Sequence, residues 1–187
     1  MTLSFDVKSI LFLALKDITL EIRRKYEVFS MITFAFVSVL VTSFSLGPFF
    51  PYSNEIVPSL IWIIFLFTAM QGFNTTFTRE MEQGTINGLR LLPLSYPLIL
   101  LGKIVYGFLL VGVIEIFIIP LSLIFFSYTL NSNPILVAST FIVGTFGLVI
   151  VGATISGLTM YTESRTILAP LLTFPLVLPI IIPSVTL

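Results

Sequence analysis

Cysteine and histidine are both absent from this chain of 187 residues. The lack of cysteine excludes disulfides, thiolate nucleophiles and cysteine-ligated metals. The lack of histidine removes the commonest acid–base catalyst and the usual protein ligand of zinc and haem iron. We therefore expect a non-catalytic chain with no metal site and no cofactor bound by this chain alone.

Charge is also scarce, because only 10% of the residues are charged while 57% are hydrophobic, and the mean hydropathy is +1.11. A soluble domain is about half apolar and about one quarter charged. The nine basic and nine acidic residues cancel, and no basic patch with interleaved aromatic residues indicates a nucleic-acid surface. The composition predicts a membrane protein with the lipid bilayer as its surroundings and no nucleic-acid partner.

Uncharged apolar runs recur at the length that crosses a bilayer. Residues 28–46 are nineteen uncharged residues, which as a helix just span a hydrocarbon core of about 30 Å. We predict an all-α, polytopic helix bundle, a single domain over 1–187, with about five transmembrane helices. These are residues 28–46, 56–77, 104–128, 135–161 and 166–187.

The basic residues predict the orientation of the bundle. All nine lie in residues 1–27, 78–103 and 162–165, which five spans place on one side of the membrane. Lysine and arginine accumulate in short cytoplasmic loops. We therefore expect a cytoplasmic N-terminus.

Residues 3–27 precede the first span and have the pattern of an amphipathic helix. Leu11, Leu15, Ile18 and Ile22 share one apolar stripe, and the remaining positions include most of the basic residues of this segment. Such a helix lies in the membrane interface with its basic residues near anionic headgroups. The segment is either a simple anchoring flank or an elbow helix that frames a docking surface.

Residues 78–103 interrupt the apolar pattern with charges, glycines and prolines. Thr85 is a candidate N-cap for a short helix that runs to about Leu92 and is ended by Pro93. Gly102 and Lys103 do not form a Walker A motif, because no glycine stands at the required spacing and no Ser or Thr follows the lysine. Taken alone, the segment is either an ordinary solvated loop or a contact site for another protein.

This segment carries a family resemblance. The run from Glu80 to Thr85, followed by Leu91, Pro93 and Gly102-Lys103, resembles the E-x-E-x-G-T…P…G-K pattern of type-2 ABC permeases. Within that group the chain is most similar to the cytochrome c maturation permease family (CcmB, haem exporter protein B). The similarity extends to Lys16-Asp17, Gly47-Pro48 and the prolines of the last span.

The resemblance implies a function and a set of partners. It implies the permease subunit of a haem-export complex in the plasma (inner) membrane, with a cytoplasmic ABC ATPase that binds ATP, a second copy of this chain and other cytochrome c maturation membrane subunits. Haem is the candidate substrate. Residues 78–103 would be the ATPase-coupling segment, with Glu80 and Glu82 facing basic residues of the partner. The coupling residues would be Arg79, Glu80, Glu82, Gly84, Thr85, Arg90 and Pro93.

The resemblance also implies six spans, whereas five are found here. Two rival functions remain: a type-2 ABC exporter of a drug, lipid or polysaccharide, and a self-contained channel or carrier. The first rival predicts the same coupling segment but no dependence of c-type cytochromes on the protein. The second requires polar residues in several spans, and beyond Glu115 the sequence offers almost none.

Glu115 is the intramembrane polar candidate. It lies eleven residues into the third run, roughly 16 Å along the helix and so close to the middle of the bilayer. Ionisable residues at that depth are costly and therefore candidates for function. Glu115 is expected either to be hydrogen-bonded within the bundle or at a dimer seam, or to contact a polar part of the substrate.

Overall fold

A computed structural model describes residues 2–23, 25–46, 53–127 and 133–186. These parts of the chain are almost entirely helical and contain no strand. The helices are α1 Thr2–Arg23, α2 Tyr26–Leu46, α3 Ser53–Glu82, α4 Ile86–Arg90, α5 Tyr96–Phe125, α6 Pro134–Thr159 and α7 Arg165–Thr186. The predicted all-α class is confirmed.

Five of these helices are long and apolar enough to cross a membrane. The spans are Tyr26–Leu46, Ile56–Phe73, Tyr96–Phe125, Pro134–Thr159 and Ile167–Val185. All five predicted spans are therefore found. The predicted break at residues 47–51 lies outside the described residues, as do residues 131–132 of the second turn.

Several helix ends differ from the prediction. The helix that contains the second span continues to Glu82 instead of ending at 77, and the helix of the third span begins at Tyr96 instead of 104. Residues 3–27 are not one helix, because α1 ends at Arg23 and α2 begins at Tyr26. The charged residues at the end of α3 and near the start of α5 are helical and not part of a solvated loop. Their charges are paired inside the protein.

Helix α3 lies at the centre of the bundle. It contacts α2, α5, α6 and α7, and 61% of its span residues are buried, against 17–28% in the other four spans. Glycines of α6 allow the close approach: a Cβ at Gly144 would lie 2.3 Å from the ring of Trp62, and one at Gly152 only 2.2 Å from the ring of Phe73. Small residues in membrane helices serve such packing.

Helix α7 packs on α6 and α3 through one stripe of buried residues, Ala169, Thr173, Val177 and Ile181. Pro175, Pro179 and Pro183 lie on its other, exposed face. The helix continues through these prolines.

Helix α1 packs along α5. A Cβ at Gly102 would lie 2.9 Å from the Cβ of Leu13, so the two helices nearly touch there. The predicted apolar stripe of α1 faces outward, since Leu11 and Leu15 are exposed. Asp17 and Glu21 instead face α5 and are buried. An outward apolar stripe suits a helix that lies against lipid.

Candidate functional site

The connection between α3 and α5 forms a compact turn with a short helix. Gly84 has a φ of +66°, a conformation that favours glycine, and it turns the chain after α3. Thr85 occupies the N-cap position of α4 but its side chain makes no capping hydrogen bond. Its hydroxyl instead contacts the main-chain and side-chain oxygens of Glu80. The helix ends at Arg90, earlier than the predicted Leu92.

Helix α4 has one buried face and one exposed face. Ile86 and Leu89 pack with Leu13 of α1 and Ile99 of α5 in a small hydrophobic cluster. Asn87 and Gly88 are exposed, as is Pro93. Leu91 is 85% exposed. Leu91 thus presents a large apolar side chain outside the candidate membrane spans.

The predicted coupling residues fall into two groups. Glu82, Gly84, Thr85 and Pro93 are exposed around α4. Arg79 and Glu80 lie on the last turn of α3 and point into the protein, where Glu80 is only 6% exposed. The expectation that Glu80 faces a partner is thus wrong for this chain, because internal lysines already pair with it. Arg90 closes α4, and its side chain lies outside the described residues.

Glu80 belongs to a cluster of four charged residues, which we call the lysine cluster: Lys16, which is half-buried, and the buried Asp17, Glu80 and Lys103. The Lys103 ammonium lies 2.7 Å from Glu80 Oε1 and 2.8 Å from Asp17 Oδ2. The Lys16 ammonium lies 2.7 Å from the same Glu80 oxygen and 3.1 Å from Asp17 Oδ1. Two cations and two anions therefore join α1, α3 and α5 at one point.

The electrostatics of this cluster keep Glu80 ionised. Burial by itself raises the pKa of its carboxyl, but the attraction and hydrogen bonds of Lys103 and Lys16 outweigh burial and lower the pKa. Burial opposes the charge of Lys16, and the pairing with Glu80 and Asp17 outweighs it and raises the pKa. Glu80 and Lys16 are therefore both charged at neutral pH, and the lysine cluster acts as a set of ion pairs.

A second polar group, which we call the arginine cluster, lies beside the first and consists of the charged residues Glu21, Glu27 and Arg79 and the neutral Tyr106. The guanidinium of Arg79 lies 2.8 Å from Glu21 and also pairs with Glu27 at the start of α2. The Tyr106 hydroxyl donates to Glu21 over 2.8 Å. Burial opposes the charge of Arg79, but its pairing with Glu21 and Glu27 raises its pKa. This cluster connects α2 to the same junction.

A cavity of about 480 Å³ separates α1 from the α3–α5 connection and is partly lined by the two clusters. Both clusters lie at the end of the bundle that also carries α4.

Sequence reasoning missed the pairing of Lys103 with Asp17. The available signal was the spacing of Asp17 and Glu21, which places two carboxylates on one face of α1.

Glu115 lies far from these clusters, in the middle of α5. Its side chain is buried and accepts a hydrogen bond of 2.7 Å from the Thr145 hydroxyl of α6. The other carboxyl oxygen, Oε1, has no hydrogen-bond partner among the described residues. This contact agrees with the first expectation for Glu115, a hydrogen bond within the bundle.

The described residues contain no group of three His, Cys, Asp or Glu side chains placed to hold a metal ion. Their spans and buried charges define a multi-pass helical membrane protein whose charged junction lies at one end of the bundle. The model of the CcmB protein family matches residues 8–187. The chain therefore belongs to the CcmB family.

Two relatives cover most of the chain. Heme exporter protein B of Haemophilus influenzae is 26% identical over 167 residues, which are 89% of this chain and 75% of the relative. Heme exporter protein B of Pseudomonas aeruginosa is 24% identical over 167 residues, 89% of this chain and 74% of the relative. The protein of the same name from Escherichia coli K12 is 24% identical over 96 residues, 51% of this chain and 44% of the relative. No solved structure matches.

Proposed function

We propose that this chain is the permease subunit of an ABC-type complex that exports or handles haem for the biogenesis of c-type cytochromes. Membership of the CcmB family and the name of the relatives support this function. The observation that carries the coupling role is the exposed surface formed by α4 and by Leu91, which follows it, at the charged end of the bundle. A separate cytoplasmic ATPase would bind ATP and dock on this face.

Packing contacts connect the proposed docking surface on α4 to the membrane spans. Ile86 and Leu89 attach α4 to α1 and α5. The lysine cluster attaches α1 to the ends of α3 and α5. A displacement of α4 by the ATPase would therefore move these helix ends together. The second copy of this chain and the other cytochrome c maturation subunits would then respond to a rearrangement of the spans.

The docking role is tested by substituting only residues whose side chains are exposed. We expect Leu91→Asp combined with Glu82→Lys to abolish co-purification of the ATPase with the tagged permease. Glu163→Lys is the matched control, because Glu163 is also an exposed acid at the same end of the bundle. Glu80 is unsuitable for this test, since its reversal would leave Lys16 and Lys103 facing another cation. Unchanged co-purification of the Leu91 and Glu82 variant would contradict the docking role.

The haem role is tested in a strain from which the gene is deleted. We expect covalent haem staining of c-type cytochromes to be lost and to return with the wild-type gene, but not with the Leu91→Asp and Glu82→Lys variant. Normal staining in the deletion strain would instead favour the exporter of another substrate. In that case ATPase co-purification would still support the permease role, so the two parts of the proposal are separable.

A further inference from the structure

A groove of about 630 Å³ lies between α1, α2 and α5 beside the arginine cluster. Its walls are apolar and include Ile22 of α1, Phe29 of α2 and Val113 of α5. These three residues are also exposed, so the groove opens to the surroundings of the bundle. In a membrane-spanning chain those surroundings are lipid, and an apolar groove there is expected to be filled by an acyl chain.

The length and direction of the groove suit an acyl chain. Along α5 its lining runs from Tyr106 to Val113, seven residues or roughly 10 Å of helix. Tyr106 belongs to the charged end of the bundle, whereas Val113 lies two residues from Glu115 near the middle of the span. The groove thus runs inward from the membrane surface, parallel to the direction in which lipid chains lie.

Among the described residues that line the groove, one cation lies at its polar end. Glu21 and Tyr106 line that end but are already paired with Arg79 and with each other. Lys25 also lines the groove, is exposed, and makes no ion pair with any described residue. It stands between α1 and α2, where a lipid headgroup would be. A lysine near a membrane surface favours anionic lipids.

We propose that this groove binds one anionic glycerophospholipid of the leaflet that surrounds the charged end of the bundle. One acyl chain would lie between α2 and α5, and the phosphate would pair with the ammonium of Lys25. A porphyrin fits less well, because among the described lining residues its two carboxylates would meet only the cation of Lys25, beside the Glu21 carboxylate. The proposal depends on the membrane location of the chain and is independent of the haem and ATPase roles.

The bound lipid would complete the junction of the three helices. Helix α1 is tied to α5 by the lysine cluster, and Arg79 ties α1 and α3 to α2. On the outer side of the arginine cluster the groove is lined by α1, α2 and α5. A lipid chain there would pack against all three helices. We therefore expect the lipid to raise thermal stability as well as to bind.

The test uses the full chain purified in detergent and titrated with phosphatidylglycerol or phosphatidylcholine of identical acyl chains. Native mass spectrometry counts bound lipid, and Trp62 fluorescence reports thermal unfolding. We expect one phosphatidylglycerol to bind per chain, about fivefold more tightly than phosphatidylcholine. This ratio corresponds to the attraction between one lysine and an anionic headgroup. The same lipid should raise the unfolding temperature, and added haem should not displace it.

Paired variants separate the headgroup from the acyl chain. Lys25→Gln should remove the preference for phosphatidylglycerol, whereas Lys8→Gln, another exposed lysine outside the groove, should keep it. Val113→Trp should exclude both lipids, whereas Ile116→Trp, on α5 but outside the groove, should not. If Val113→Trp fails to fold, Leu109→Trp fills the same groove. Equal binding of the two lipids to the wild type, an unchanged preference in Lys25→Gln, or displacement by haem would overturn the proposal.

Discussion

Lys103 is the residue on which the charged junction depends most. It is 2% exposed and pairs with carboxylates from two other helices, Asp17 and Glu80. It also lies 5.5 Å from the centre of the Phe77 ring, within the range of a cation–π contact. A buried cation with these partners stabilises one arrangement of α1, α3 and α5, because removing it leaves two buried anions with a single shared lysine.

Replacing Lys103 by Met is expected to destabilise the protein by about 3–5 kcal/mol, the effect of removing one partner from a buried ion pair. Thermal unfolding of the purified protein, followed by Trp62 fluorescence, measures the change. Lys8→Met is the control, because Lys8 is exposed on the same face of the membrane. Adding Asp17→Asn and Glu80→Gln to the Lys103 variant should restore part of the loss. Equal stability of the two single variants would show that the ion pairs contribute nothing.

Glu115 illustrates the opposite case, a buried carboxyl without a cation. Its described partner is the Thr145 hydroxyl, which connects α5 to α6. The remaining oxygen, Oε1, is also buried and has no hydrogen-bond partner among the described residues. The hydrogen bond accounts for the position of Glu115 in this chain, and contact with substrate remains a prediction.

Among the helices, α3 and α6 form the most tightly fitted pair. Aromatic rings of α3 lie directly on glycines of α6, with Trp62 against Gly144 and Phe73 against Gly152. Trp62 also stacks on Phe141, with ring centres 4.9 Å apart and planes within 7°. Since there is no water to expel between membrane helices, such close contacts supply much of their attraction.

Substituting Gly152 by Ala is expected to destabilise the bundle by about 1–3 kcal/mol, the usual effect of overpacking. The added methyl would lie 2.2 Å from Phe73, so the ring must move. Gly112→Ala serves as the matched control, since nothing lies within 4 Å of a Cβ there and Ala favours helix. Thermal unfolding compares the two variants. A second change, Phe73→Leu, should recover part of the stability of the Gly152 variant but not of the control.

The whole molecule is polarised by its charges. All nine lysines and arginines lie in residues 1–27, 78–103 and 162–165. Of the six whose side chains are described, the structure brings three to one junction, where Lys16, Arg79 and Lys103 are paired with acids. The remaining exposed cations, including Lys8 and Lys25, are available to the membrane surface. This asymmetry is the basis for the predicted cytoplasmic N-terminus.

The orientation is tested with single cysteines, for which the chain is suited because it has none of its own. Ser127→Cys should react with a membrane-impermeant maleimide in intact cells. Asn87→Cys on α4 and Ser164→Cys between α6 and α7 should react only after the membrane is permeabilised. All three positions are exposed in the folded chain. The reverse labelling pattern would contradict a cytoplasmic N-terminus and place α4 out of reach of an ATPase.

The number, order and approximate position of the spans were predictable from the sequence alone. The bilayer imposes a length of about twenty apolar residues on each helix, and this requirement is visible without any tertiary contact. The short helix that begins near Thr85 was predictable as well, because its start and end signals lie in neighbouring residues. The family could also be recognised from the order of its motifs.

The partners of the charged residues were not predictable in this way. Lys16, Glu80 and Lys103 are separated by 64 and 23 positions along the chain, yet Glu80 accepts hydrogen bonds from both lysines. The charges of Glu80 and Lys103 were compatible with a solvated loop or a contact site for another protein, whereas pairing across α1, α3 and α5 keeps both residues helical and buried. Hydropathy and helix length depend on each segment and the surrounding lipid, but the neutralisation of a buried charge depends on which distant helix lies beside it.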